Sequence, residues 1–217
     1  MKIGMILDSV YPDDARVTNQ CDELIKKNHE IHLFCLSFSH VFVENEVINK
    51  INIHRYYCSK LTYKLSALSN DINLYNNILK NKIIDFIRKT KVDILHIHDI
   101  QIAQAAISAS NIFNIKYNID LHENRPEIMK SYKHVNSFFG KIFISPARWK
   151  IAEEKFVKSA NKVVVVTKHA KKELVSRVNI NEEKVIIYPN TVRKSFYKNK
   201  SIDKKLEKKY LKNFVII

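Results

Sequence analysis

The sequence predicts an α/β fold, a doubly wound and mainly parallel sheet with helices on both faces. Three observations carry that expectation. Short apolar runs alternate with longer amphipathic segments along nearly the whole chain, the signature of β-α-β units. One run, 162–167, contains four consecutive valines, as a parallel strand covered on both faces requires. The chain has 217 residues, 46% hydrophobic and 27% charged, enough to bury one sizeable core.

In chain order, residues 2–7 read as a buried strand. Residues 14–27 read as a helix, because Val17, Cys21, Leu24 and Ile25 share one face. Asp13 or Asp14 is its natural N-cap. A second strand follows at 30–36. Residues 42–57 predict a hairpin or two short strands, with Asn49-Lys50 or Glu44-Asn45 as the turn. Helical spacing of Leu74, Ile78, Leu79, Ile83, Phe86 and Ile87 places a helix at 73–89. Strand 92–97, helix 100–111 and strand 116–121 come next. The basic stretch 126–160 is expected to be mostly helical, broken near Ser145-Pro146. Strand 162–167, helix 168–178, strand 184–188 and a charged, helix-prone segment at 198–212 complete the series. A fresh apolar run begins at 213.

In sheets of this type, ligands bind beyond the carboxyl ends of the strands. The loops that matter are therefore 8–13, 98–99, 122–125, 167–169 and 189–191. The first reads DSVYPDDARV and holds no glycine, which argues against a dinucleotide bound through GxGxxG. Arg16 falls in the first helical turn, electrostatically poor for a cation, so a ligand contact or a carboxylate partner is expected for it. In VDILHIHDI, His96 and His98 share one face of a strand. His98 and Asp99 are expected to line the cleft and His96 to be buried; the pair is a weak metal signal, and no metal site is expected. IDLHENRPE is the most informative loop: His122, Glu123, Asn124 and Arg125 follow the strand at once, and Pro126 breaks the chain. Such polar groups need exposure or partners, and a histidine there suits a sugar hydroxyl or a phosphate.

Lys+Arg 37 against Asp+Glu 22 gives a net charge of +15. An anionic partner is implied: a membrane surface, phosphorylated substrates or nucleic acid. The last is set aside, because no dense recognition stripe, RNP-like motif or zinc motif appears. Between 131 and 158, Lys133, Lys141, Arg148 and Lys150 interleave with Phe138, Phe139, Ile142, Phe143 and Trp149. That mixture suits an anionic membrane interface or, equally, an ordinary helix packed on the sheet. Cys21, Cys35 and Cys58 show no CxxC spacing, so neither disulfides nor zinc are expected. With no signal-like segment and no apolar stretch near ~18 residues, the expected location is cytoplasmic, possibly peripheral at the inner face of the membrane.

Several segments together resemble the N-terminal domain of retaining glycosyltransferases of family 4, which have the GT-B fold. YPDDARVTNQCDELIKKNHEIHLFC resembles that family's first β-α-β unit. VDILHIHD, IDLHENRPE, NKVVVVTKHAKKEL and VIIYPNTV resemble its later strands and loops, in the family's order. Asn28 stands where a glycine is usual, a tolerable left-handed substitution. The first loop lacks the glycine pair many members carry near the donor phosphates, and a subgroup with a PDDxR-type loop fits better. The resemblance implies a Rossmann-like acceptor-side domain over 1–198, with 199–217 forming the connection and first strand of a donor-binding domain. It implies transfer from a nucleotide sugar to a cell-envelope glycan or lipid-linked acceptor, with the nucleotide sugar as co-substrate and neither cofactor nor metal. His122 matches the family's cleft histidine and is the expected catalytic residue. Arg16, His98, Asp99, Glu123, Asn124, Arg125, Thr167, Lys168 and Asn190 are the expected substrate contacts, and Lys133, Lys141, Arg148, Trp149 and Lys150 the expected membrane contacts. The donor-side residues would lie in the second domain, so the chain alone is expected to be inactive. Two other readings remain: a non-catalytic subunit that recruits a separate donor-binding chain, and a GT-B-fold sugar-nucleotide epimerase.

Overall fold

Each apolar run forms the strand its pattern predicts. A computed structural model of the chain describes residues 1–70, 72–132, 135 and 144–191. The strands are β1 (Lys2–Ile6), β2 (Glu30–Ser37), β3 (Asn45–Ile48), β4 (Ile51–Tyr57), β5 (Ile94–His98), β6 (Lys116–Leu121), β7 (Lys162–Val165) and β8 (Val185–Ile187). They make one sheet in the order β3-β4-β2-β1-β5-β6-β7-β8. All neighbours are parallel except β3 and β4, the expected hairpin. Its turn is Asn49-Lys50, both residues at positive φ, as a tight two-residue hairpin loop requires.

The helices are α1 (Ala15–Lys26), α2 (Lys60–Lys64), α3 (Leu74–Thr90), α4 (Ala103–Phe113), α5 (Arg125–Met129), α6 (Pro146–Ser159) and α7 (Lys168–Val178). Their starts follow from capping chemistry. Asp14, Ser145 and Thr167 each accept a hydrogen bond from a backbone N–H three residues on. Asn28 takes φ 61 and turns the chain from α1 into β2, as its place in a usual glycine position predicts.

Two apolar layers flank the sheet. Ile3, Met5 and Leu7 of the first strand and its exit pack with Val17 and Cys21 of α1. Ile6 faces the opposite layer, with Leu79, Ile83 and Phe86 of α3 and the small residues of α4. Gly4 shares that second face, where an added Cβ would lie 2.9 Å from Leu95 Cδ2 and 3.1 Å from Phe86 Cε1. Close approach of α3 therefore requires the glycine. The three cysteines are free and buried.

Beyond β1 the chain moves outward through β2 and β4, then returns to β5 and moves the other way through β6, β7 and β8. The reversal lies between β1 and β5, and the crevice at their carboxyl ends is the ligand position for such a sheet.

The basic stretch departs from expectation in one respect. Trp149, expected at a membrane surface, is 2% exposed. It lies in the main core, and its ring N–H points at Ala67 O, 3.4 Å away. A large aromatic at this position of α6 serves packing. Arg148 is exposed, and Lys150 is paired with Glu127 at 3.7 Å. Lys133 and Lys141 lie outside the described residues, as does the expected connection at 199–217. Among the described residues, no helix is long and apolar enough to cross a membrane.

Candidate functional site at the carboxyl ends of the strands

The crevice is built from the exits of β1, β5 and β6. Asp8 follows β1, Asp99 follows β5, and His122 to Arg125 follow β6. Asp99 has φ 67, a left-handed conformation that Asp tolerates better than most residues. Its N–H donates to Asp120 O at 3.1 Å, which fixes the turn against β6. His122 Nε2 lies 3.2 Å from Asp99 Oδ2. Arg125 donates to Glu123 Oε2 at 2.9 Å and also to Gln101 Oε1.

This constellation is electrostatically tense. Asp8 and Asp99 are 6% and 8% exposed. Burial, with the Asp99 charge added, pushes the Asp8 carboxyl up to about 7. Burial pushes Asp99 up to about 6, although His122 and Arg125 oppose it. Burial alone would lower the pKa of Arg125, but Asp99 and Asp8 raise it. Asp8 Oδ2, Asp99 Oδ1 and His122 Nδ1 are buried without a hydrogen-bond partner, a cost that folding alone does not explain.

A second polar cluster lies beneath the first. Arg16 grips Asp120 with two hydrogen bonds, Nε to Oδ2 at 2.9 Å and Nη2 to Oδ1 at 2.7 Å. Its Nη1 donates to Tyr188 O and to Asn190 Oδ1, both at 2.8 Å. Gln20 also donates to Asp120 at 2.6 Å. Burial opposes ionisation of Asp120, yet neighbouring donors hold its carboxyl well below the usual range. His98 Nδ1 and His96 Nε2 stand 3.5 and 3.9 Å from it, too far for good hydrogen bonds, so Arg16 and Gln20 are its effective partners. The expected carboxylate partner of Arg16 is thus found, and the guanidinium acts as a clamp between β6 and the exit of β8.

His98 corrects an expectation. It was expected to line the cleft, but it is fully buried. Burial pushes its pKa down to about 4, so the ring is neutral. As the last residue of β5 it stands in register with Asp120 on β6, inside the sheet. His96, His98 and Asp120 offer ligand atoms within 4.8 Å of one another. They fit a metal poorly, because Arg16 occupies both oxygens of the carboxylate and would repel a cation.

Two cavities open beside the crevice, and His122 lines both. One, of about 260 Å³, runs along Glu123, Asn124 and the first turns of α7, and includes His169, Glu173 and Arg177. The other, of about 270 Å³, lies between the start of α1 and residues 188–191, with Arg16 and Asn190 in its wall. Thr167 caps α7, and exposed Lys168 lines neither cavity. Asp8, Gln20, Asp120 and His169 were not singled out from the sequence. Asp120 carried a readable signal, a charge between Ile119 and Leu121 in an apolar strand.

The family model for Glycosyltransferase Family 4 matches residues 15–196. Curated protein sequences give no match. Solved structures share the fold at low identity. Sucrose-phosphate synthase from Thermosynechococcus elongatus superposes with TM-score 0.61 at 12% identity, over 87% of this chain and 47% of that one. A glycosyltransferase from Rickettsia africae ESF-5 gives 0.56 at 19%, over 99% and 50%. UDP-GlcNAc 2-epimerase from Neisseria meningitidis, bound to UDP-GlcNAc, gives 0.55 at 16%, over 97% and 54%. The chain therefore spans about half the length of these structures.

Proposed function

The chain belongs to glycosyltransferase family 4, and we propose that it is the acceptor-side half of an enzyme that moves a sugar from a nucleotide sugar to a cell-envelope glycan or lipid-linked acceptor, with retention at the anomeric carbon. The observation that carries the reading is the place of His122. It leaves the carboxyl end of β6, lines both cavities and touches Asp99 across the crevice. A histidine so placed meets the sugar at the reacting end, where positioned polar groups act on the transition state. Glu123, Asn124 and Arg125 frame the same opening. In this reading the nucleotide sugar is a co-substrate, and the leaving diphosphate is neutralised by cationic side chains of a donor-binding half without a metal. The enzyme would work in the cytoplasm against the membrane's inner face.

The test is a transfer assay with and without a donor-binding half. Sugar should reach an acceptor only when both halves are present, and NMR of the product should show the donor's anomeric configuration. Transfer by the isolated chain, or an inverted product, contradicts the proposal. The epimerase reading has one observation in its favour: carboxyls with raised pKa values beside the crevice suit proton abstraction. A soluble epimeric sugar nucleotide formed without acceptor would support it.

A further inference from the structure

We propose that Asp99 is the positioning residue of His122: it keeps the imidazole proton on Nε2 and leaves Nδ1 bare, so the histidine meets its ligand as a hydrogen-bond acceptor for a sugar hydroxyl. The ligand half of this statement rests on the transferase reading; the proton placement does not.

The geometry begins with the backbone. Asp99 is held in a left-handed turn at φ 67, and its N–H is tied to Asp120 O. Asp120 in turn is gripped by Arg16 and Gln20. The Asp99 carboxyl is thus presented from a fixed frame. Only one nitrogen of His122 meets it: Nε2, at 3.2 Å from Oδ2. Nδ1 is buried and has no partner. A carboxyl oxygen accepts and cannot reward a bare nitrogen, so the neutral ring places its hydrogen on Nε2. The lone pair then sits on Nδ1.

That choice selects the ligand atom. A bare nitrogen repels phosphate oxygens and takes a hydrogen from a hydroxyl. The charged groups around the ring agree. Asp99, Asp8 and Glu123 gather here, with Arg125 already hydrogen-bonded to Glu123 and Gln101. An anion finds no free cation among these four, whereas an uncharged hydroxyl finds an acceptor. A buried nitrogen without a partner is costly to fold, and a substrate hydroxyl would satisfy it.

The proton can be observed directly. Long-range proton–nitrogen correlation spectra of the chain, labelled with 15N-histidine at neutral pH, distinguish the two tautomers. The expected result is the Nε2–H form for His122, shifting toward a mixture in Asp99→Asn, which keeps the shape and loses the charge. An Nδ1–H ring, or an unchanged pattern in Asp99→Asn, overturns the proposal. If that variant does not fold, the wild-type spectrum still decides. In the enzyme joined to its donor-binding half, Asp99→Asn should lower kcat by at least about tenfold with both KM values little changed, and Asp99→Glu should restore part of it. Normal turnover in Asp99→Asn also overturns the proposal. Deoxy donors and deoxy acceptors tell whose hydroxyl is received, because the analogue lacking it should react no faster with wild type than with His122→Ala. An assembled enzyme that transfers no sugar contradicts the transferase reading while leaving the tautomer result standing.

Discussion

Removing the Arg16 guanidinium would strand the Asp120 carboxylate at zero exposure. A buried charge robbed of its partner typically costs about 3–5 kcal/mol, so Arg16→Met should lower the free energy of urea unfolding by that order. Arg16→Lys should recover little, because a point charge cannot reproduce two parallel hydrogen bonds to a carboxylate. Asp8 predicts the opposite sign. Its folded pKa of about 7 lies above the ordinary value of 3.8. A raised pKa contributes stability that is fully present below the unfolded value and is lost as pH rises through the folded one. The window is therefore about pH 4 to 7, and the loss at pH 8 is at most about 4 kcal/mol. Asp8→Asn should match the parent's melting temperature at pH 4 and exceed it at pH 8 by several degrees. Thermal unfolding at the two pH values checks this, and equal curves at pH 8 would contradict it. Of these residues, Arg16 announced a partner by its place in a first helical turn. Asp8 and Asp120 did not announce theirs, because the contacts that define them come from afar: Arg16 and Asp120 are 104 residues apart.

Elements were more legible than side-chain partners because their causes are local. The period of Val17, Cys21 and Leu24, the valine run of β7 and the cap at Asp14 depend on residues within a few positions. Helix α7 and strand β6 have the bounds their patterns predict. The β3–β4 turn offered two possibilities, and Asn49-Lys50 is the one that forms. Lys50 has φ 66, where a side chain is strained and a glycine is not. Lys50→Gly should stabilise the chain by about 1 kcal/mol, read from the denaturation midpoint. A loss of stability would show that the lysine makes a compensating contact. The short α2 was not legible. It holds five residues without a buried face, so no period could reveal it. Misreading His98 and Trp149 has one cause. Sequence places a residue at a strand end or beside basic neighbours, but only packing decides whether it faces solvent.

At the scale of the whole molecule, a net charge of +15 outweighs what the acidic crevice takes up. If that charge seats the protein on a membrane, binding should require anionic lipid and weaken as salt rises, because screening shortens its reach. Vesicle co-sedimentation of the chain measures this, and replacing Lys133, Lys141 and Lys150 with Glu should reduce it. Equal binding to neutral and anionic vesicles would leave the basic stretch a packing element only. Family membership and fold place the crevice; what passes through it rests on His122. The most direct measurement is steady-state turnover of His122→Ala in the enzyme joined to its donor-binding half, with thermal unfolding run beside it. A lost transition-state contact predicts a fall of about two to three decades in kcat, or roughly 2–4 kcal/mol, at a melting temperature within a few degrees of the parent. Near-normal turnover, or a collapse in melting temperature large enough to explain the loss, would contradict the account.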